Sequence, residues 1–295
     1  MDRALVLSVD PHASSANALA WVEAARGAHA GVRVVAVHVQ PRPVVAWPDP
    51  GIDVRAVEEA LRLQGRERVE PVVARLLAAG YAAQPVVRLG SPAGELLDEA
   101  QLAGAGLVVA GTRGEGLLQG FAIGSVALRV IHGSPVPVVI VRPDARIAPR
   151  ERGCPLRVLV ALDGSEPAAR AADTLLAWRD WFGPMRADLL HVQAPLTLFE
   201  EILPPHDDVL QQWGRAQGEA AVRAVAARFA DAGVPADLQL LAGDPAPVIL
   251  QRAAELDADL IALGSRGLGA AHHALVGSVA LKVAAHATVP VLVSR

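Results

Sequence analysis

The segment GTRGEGLLQGFAIGSVALRVIHGSPVPVVIVR at residues 111–142 returns without a gap as GSRGLGAAHHALVGSVALKVAAHATVPVLVSR at residues 264–295. The two copies start at Gly111 and Gly264, which are 153 residues apart. The same offset relates four further pairs, Asp10 with Asp163, Val39 with Val192, Gly90 with Gly243 and Pro92 with Pro245. One constant offset over a whole domain predicts an internal duplication.

This duplication divides the 295-residue chain into two halves of ordinary domain size. We expect the first domain to comprise residues 1–143 and the second to comprise residues 156–295. Residues 144–155, between them, are rich in proline, glycine and charge and have no hydrophobic periodicity. Such a composition is typical of a linker.

Short valine-rich runs alternate with alanine- and leucine-rich stretches in both halves. This alternation predicts the α/β class, with two tandem doubly wound, mostly parallel sheets of five strands each. We expect strands near residues 4–9, 33–39, 83–89, 106–110, 137–141, 157–162, 186–192, 236–242, 259–263 and 290–294. In the second half we expect helices near residues 166–180, 207–232, 246–257 and 277–287. Ligands of such sheets bind beyond the carboxyl ends of the strands, where Asp10, Val39 and Gly90 lie.

Each half carries the pattern Gly-x2-Gly-x9-Gly-Ser between a buried strand and a helix. Its residues are Gly111, Gly114, Gly124 and Ser125 in the first half, and Gly264, Gly267, Gly277 and Ser278 in the second. Glycines permit positive φ and the close approach of a ligand, and a helix start attracts anions. The pattern therefore predicts a phosphate site, which Arg113 and Arg266 could also reach. A surface loop that keeps its glycines for turn geometry is the alternative.

The glycine pattern, together with VALDGSE at residues 160–166 and the closing VPVLV at residues 289–293, resembles the universal stress protein family. The resemblance covers nearly the whole chain, twice, and is to the ATP-binding branch of that family. It implies a Rossmann-like fold of the adenine nucleotide alpha hydrolase type. It also implies ATP as the ligand, accompanied by Mg²⁺.

The resemblance further implies a role for each matching residue. The motif glycines and serines would bind the phosphates, and Asp10 and Asp163 would contact the nucleoside or organise the metal. Val39 and Val192 would line the adenine site, and Gly90 and Gly243 would pass close to the nucleoside. His38 and His191, which also repeat, are interpreted as structural residues.

The two halves differ in the loop after their first strand. The second half has Asp163-Gly164-Ser165, whereas the first has Asp10-Pro11-His12, and proline fixes φ and removes an amide. In the glycine segment the first half has Glu115, which would repel phosphates unless Mg²⁺ or an arginine offsets its charge. We therefore expect both halves to bind, the second more tightly.

Composition excludes several classes of function. The net charge is −4 without a basic stripe, so nucleic acid is not the expected partner. No apolar run approaches the roughly 20 residues of a membrane span, and the first residues lack the apolar core of a signal peptide. With Cys154 as the one cysteine, a cytoplasmic protein without disulfides is expected.

These observations favour a nucleotide-dependent stress-response regulator. No general base lies in the motif, so no catalytic residue is predicted. A slow ATPase or phosphotransferase, with Ser125 or Ser278 accepting a phosphoryl group, remains an alternative. So do a nucleotide-free interaction scaffold and a site for AMP or cyclic AMP.

The apolar final strand of each half needs pairing, which predicts an intrachain pseudo-dimer and a homodimer of the full chain.

Overall fold

The computed structural model describes residues 3–42 apart from residues 26, 28 and 30, and residues 53–112, 123–147, 154–193, 207–267 and 276–295. The chain folds into two compact units, Met1–Ala145 and Arg146–Arg295, which we refer to as the first and the second domain. In the described part of the chain, no helix is long and apolar enough to cross a membrane.

The described part of the first domain has five strands that alternate with four helices. The strands β1 to β5 are Arg3–Ser8, Val32–Gln40, Ala82–Leu89, Ala105–Gly111 and Val138–Val141. The helices α1 to α4 are Ala13–Glu23, Val54–Ala78, Pro92–Leu102 and Ser125–Gly133. The strand order is β3-β2-β1-β4-β5, and every pairing is parallel. The strand order therefore reverses between β1 and β4.

The second domain repeats this arrangement. Its strands β6 to β10 are Leu156–Ala161, Met185–Gln193, Ala236–Ala242, Leu260–Gly264 and Val291–Ser294. Its helices α5 to α9 are Glu166–Ala177, Arg179–Phe182, Asp207–Asp231, Pro245–Glu255 and Ser278–His286. The order β10-β9-β6-β7-β8 is again wholly parallel. The prediction of two tandem doubly wound α/β domains is confirmed.

One helix is shorter than predicted. The sequence suggested a helix over residues 166–180, but α5 ends at Ala177 because Trp178 leaves helical geometry, with φ −97° and ψ 11°. The chain then turns into the four-residue α6, where Trp181 packs edge-on against Trp178 at 5.6 Å between ring centroids. Both indoles are buried, so both serve the packing of the second domain.

The central strands are apolar on both faces because helices cover both. Leu5, Val6 and Leu7 of β1 and Val108 and Val109 of β4 have no solvent exposure. Right-handed crossovers place α1 and α2 on one face of the sheet and α3 and α4 on the other, and α3 packs against α4. Residues at the carboxyl ends of β1 and β4 can therefore contact helices on both faces of the sheet.

Candidate functional site

A cavity of about 160 Å³ opens in the first domain at the point where the strand order reverses. Its walls are the carboxyl ends of β1, β2 and β4, the starts of α3 and α4, and one residue of α2. Open parallel sheets bind ligands in such a crevice. This cavity is therefore the candidate functional site of the first domain.

The structure brings only some of the predicted residues to this cavity. Three of them line it, namely Asp10, Val39 and Gly111. Three others are not part of its lining, namely Gly90, Gly124 and Ser125. Arg113, Gly114 and Glu115 lie outside the described residues. The lining also includes residues for which the sequence predicted no role in the site, among them Thr112, His12 and Arg68.

Each of the two site aspartates closes the turn that leads into the next helix. Asp10 Oδ1 accepts a hydrogen bond from the backbone N–H of His12 at 2.8 Å. In the second domain Asp163 Oδ1 accepts from the backbone N–H of Ser165 at 2.9 Å. Both aspartates therefore fix the path of the chain at the carboxyl end of the first strand, whatever further role they have.

The first glycine of each motif allows a helix to start very close to a strand. A β-carbon on Gly111 would stand 2.5 Å from Ser14 Oγ of α1, and one on Gly264 would stand 2.7 Å from the backbone nitrogen of Ala168 in α5. The positive φ that the sequence suggested is not found at the motif glycines that the structure describes, residues 111, 124, 264, 267 and 277. Close packing therefore explains the need for glycine at residues 111 and 264.

The third glycine of each motif is the N-cap of the next helix, α4 or α9. Gly124 N–H donates to Thr112 O at 2.7 Å, and Gly277 N–H donates to Ser265 O at 2.7 Å. A glycine has no side chain with which to cap a helix, so the N–H groups of the first turn are left for water or a ligand. The exposed Ser125 and Ser278 are the first residues of these helices.

The residue beside each of these helix starts carries a buried hydroxyl that has no partner among the described residues. Thr112 and Ser265, at matching positions of the repeat, are 1% and 2% exposed, and their side-chain oxygens form no hydrogen bond with any described residue. Leaving such a buried group unsatisfied costs about 1–3 kcal/mol. The sequence contained a signal for them, since both motifs have a hydroxyl residue after the first glycine.

The carboxyl ends of the neighbouring strands are held together by a second repeated set of contacts. His38 Nδ1 donates to Val9 O at 2.8 Å, and His191 Nδ1 donates to Leu162 O at 2.8 Å, so both histidines connect the ends of neighbouring strands, and His38 also lines the cavity. Gly90 and Gly243 have φ of 155° and 143°, a conformation that favours glycine. Val39 and Val192 are half-buried at the ends of β2 and β7.

In the second domain the loop after β6 touches the glycine segment directly. Ser165 Oγ donates to the backbone oxygen of Arg266 at 3.2 Å and accepts from Ala168 N–H at 3.4 Å, which caps α5. Gly267 packs against the carboxylate of Asp163. The structure thus brings Asp163, Arg266 and Gly267 together, as a site there requires.

No three His, Cys, Asp or Glu side chains of the described residues come close enough to hold a metal ion by themselves. Asp10 and Asp163 could each supply one carboxylate ligand. Mg²⁺ commonly binds through one or two carboxylates together with phosphate oxygens and water. The donor set therefore fits a metal that arrives with a phosphorylated ligand.

Comparisons with known proteins give one consistent result. The model of a family described as "Universal stress protein family" matches residues 1–142 and 156–295. A universal stress protein of Mycolicibacterium smegmatis is 32% identical, over 99% of this chain and 96% of its own length. One from Thermus aquaticus is 38% identical, over 47% of this chain and 97% of its own length. A crystal structure of one from Archaeoglobus fulgidus shares the fold, with a TM-score of 0.69 at 23% identity, over 100% of this chain and 97% of its own.

Proposed function

The chain belongs to the universal stress protein family, and from this premise we propose that each of its domains binds an adenine nucleotide, with ATP as the main ligand. Occupancy by ATP would then be the signal that the protein passes to a partner as a stress-response regulator. For this proposal we keep the predicted bounds, residues 1–143 and 156–295 joined by residues 144–155, which differ from the compact units that meet between Ala145 and Arg146.

One observation supports the proposal above all others. Thr112 and Ser265 place a buried hydroxyl, without a hydrogen-bond partner among the described residues, at matching positions of both domains. A group that costs free energy in the folded protein is explained if a ligand oxygen completes its hydrogen bond. The uncapped first turn of α4 or α9 begins directly beside each of these residues, because Gly124 N–H and Gly277 N–H donate to their backbone carbonyl oxygens. Free backbone N–H groups of a helix start and a nearby hydroxyl are donors of the kind that bind a phosphate.

The nucleoside would lie in the same cavity. Asp10 and Val39 line it in the first domain, where a carboxylate can accept from the ribose and a half-buried apolar residue can contact the base. Asp163 and Val192 are the corresponding residues of the second domain. Mg²⁺ would accompany the phosphates and take Asp10 or Asp163 as a ligand.

The cytoplasmic location, the intrachain pseudo-dimer and the homodimer remain predictions.

Nucleotide that survives purification tests the proposal. The protein is washed extensively and denatured, the released nucleotides are quantified by chromatography, and the emptied protein is titrated with ATP and Mg²⁺. We expect two adenine nucleotides per chain, or saturable binding with a Kd of the order of micromolar, close to −8 kcal/mol. Absence of both would favour the interaction scaffold instead.

A competition titration and a turnover assay distinguish the remaining alternatives. Competition with AMP and cyclic AMP shows which adenine nucleotide binds most tightly. Turnover of ATP well above background that disappears in the Ser278→Ala variant would favour an ATPase or phosphotransferase. The regulator requires binding without such turnover.

A further inference from the structure

The first-domain cavity has one wall that the proposed function does not use. His12 is the N-cap of α1 and lines the cavity. Its Nε2 atom is buried and makes no hydrogen bond with any residue of the described ranges. An imidazole nitrogen in this position that carries its proton either donates to an oxygen of a ligand or remains unsatisfied at a cost.

Arg68 of α2 lines the same cavity and is half-buried. Within the part of the chain that the structure describes, its guanidinium forms neither a hydrogen bond nor an ion pair. Gly65, three residues earlier on the same helix face, lies so close to Val87 of β3 that a β-carbon there would overlap it. This close packing holds α2 against the sheet, and Arg68 lines the cavity from that helix.

His12 and Arg68 are placed apart from the helix start that the proposed function uses. The right-handed crossovers put α1 and α2 on the face of the sheet opposite to α3 and α4. The cavity therefore has one set of donors on the α4 side and another, His12 and Arg68, on the α1–α2 side. An arginine and a second N–H donor on one wall are the groups that bind a phosphate.

We propose that His12 and Arg68 form a second phosphate subsite, so that the first domain prefers adenine nucleotides with a phosphate additional to the one held at α4. This inference rests on the proposed function, because the same cavity would hold the nucleoside and the first phosphate. It also makes the two domains unequal. The second domain has Ser165 and Ala221 at the matching positions, and Ser165 Oγ is already engaged with Arg266 O.

The additional phosphate has two possible sources. It can be the end of a longer chain, as in ADP and ATP compared with AMP, or a second phosphate on the ribose, as in adenosine 3′,5′-bisphosphate. Both present the same dianionic group to His12 and Arg68. Titration with all four ligands identifies the source, because only ligands that reach the subsite lose affinity when it is removed.

The experiment is isothermal titration of the full chain with each ligand. We compare the unchanged protein with Arg68→Ala and with His12→Ser, which introduces the residue that the second domain has. Arg66→Ala is the matched control, since Arg66 is an exposed arginine of the same helix that does not line the cavity. Thermal unfolding of each variant verifies that the fold is retained.

For at least one ligand with an additional phosphate, we expect Arg68→Ala and His12→Ser to weaken one of the two sites about tenfold. The affinity for AMP should change less than about twofold, and Arg66→Ala should have no effect. An equal loss for AMP, or no loss for any ligand, would overturn the subsite. If the unchanged protein binds no adenine nucleotide at all, the proposed function itself fails.

Discussion

Gly267 packs against the carboxylate of Asp163 so closely that even a methyl group on residue 267 would overlap Asp163 Oδ2. Asp163 follows the first strand of the second domain, and Gly267 is the second glycine of the motif. The glycine therefore determines where the carboxylate can lie. Because φ of Gly267 is not positive, its backbone conformation is open to other residues.

Gly267→Ala should therefore act on Asp163 rather than on the backbone. The added methyl group displaces the carboxylate, and we expect the second site to bind ATP about tenfold more weakly, a change of about 1.4 kcal/mol. Calorimetric titration measures this, with the first site of the same chain as the internal reference. Unchanged affinity at both sites would show that Asp163 does not contact the nucleotide.

Thr112→Val should separate the function of the hydroxyl from its role in packing. Valine keeps the branched shape and removes an oxygen that has no partner among the described residues, so the free energy of unfolding should not fall. The affinity of the first site for ATP should fall about tenfold, because a hydrogen bond to a charged oxygen is lost. Loss of stability without loss of affinity, measured by urea unfolding and titration, would contradict the proposed role.

Gly264→Ala should destabilise the second domain, because β9 and the start of α5 leave no room for a side chain. The new methyl group would stand 2.7 Å from the backbone nitrogen of Ala168 and 2.9 Å from Pro167 Cβ. Overpacking against a backbone costs about 1–3 kcal/mol. Denaturant unfolding of the variant measures this cost.

Gly94→Ala is the matched control for that substitution and carries its own prediction. Gly94 is exposed within α3, and a β-carbon there meets only Ser91 Cβ at 3.8 Å, an ordinary contact. Alanine stabilises a helix by about 0.5–1 kcal/mol relative to glycine. The first domain should therefore become more stable, and a loss of stability would mean that glycine matters at this position for another reason.

Asp188→Asn should stabilise the second domain at neutral pH. Asp188 is buried in β7, where burial first and the nearby charge of Asp237 second raise its pKa above the ordinary value of 3.8, although Arg186 and Arg252 oppose the shift. A carboxyl with a raised pKa stabilises the fold when it is protonated, and this contribution is lost as the pH rises through the folded-state pKa. Asparagine avoids the buried charge and still accepts from Gln239, which bonds Asp188 Oδ1 at 3.0 Å.

Thermal unfolding at two pH values tests this sign. At about pH 8 the Asp188→Asn variant should unfold a few degrees higher than the unchanged protein, and at about pH 4 the difference should shrink. Arg186 and Asp237 form an exposed ion pair beside it, so Asp237→Asn should change the midpoint far less. A difference that stays constant between the two pH values would exclude the buried charge as its cause.

The repeat and most helix and strand positions could be predicted because they depend on patterns along the chain. α2 and α7 are both 25 residues long and begin at Val54 and Asp207, as the constant offset requires. The end of α5 could not be predicted. The residues after Ala177 contain no proline or glycine before Gly183, and the turn depends on how the indoles of Trp178 and Trp181 pack.

The candidate site was predictable only in outline. A motif glycine can be required either because its φ is positive or because its backbone packs closely against a neighbour. Both causes demand the absence of a β-carbon, so the sequence does not distinguish them. At Gly111 and Gly264 the cause is close packing. The unpartnered hydroxyl of Thr112 and the cavity position of Arg68 are properties of the folded chain, because they depend on neighbours that are distant in sequence.

The constant offset also determines how a gene for this protein can change. Two copies of the gene can recombine between a position in the first domain and its counterpart 153 residues further on. The product lacks the 153 residues between the two positions and keeps 142 of the 295 residues. Every strand and helix of one complete domain survives, because paired elements such as β1 and β6 begin at corresponding positions. The Thermus aquaticus relative, 97% of which aligns with 47% of this chain, has a comparable length. Such a crossover therefore leaves a shortened chain that keeps the strand order of a single domain, β3-β2-β1-β4-β5 or its repeat.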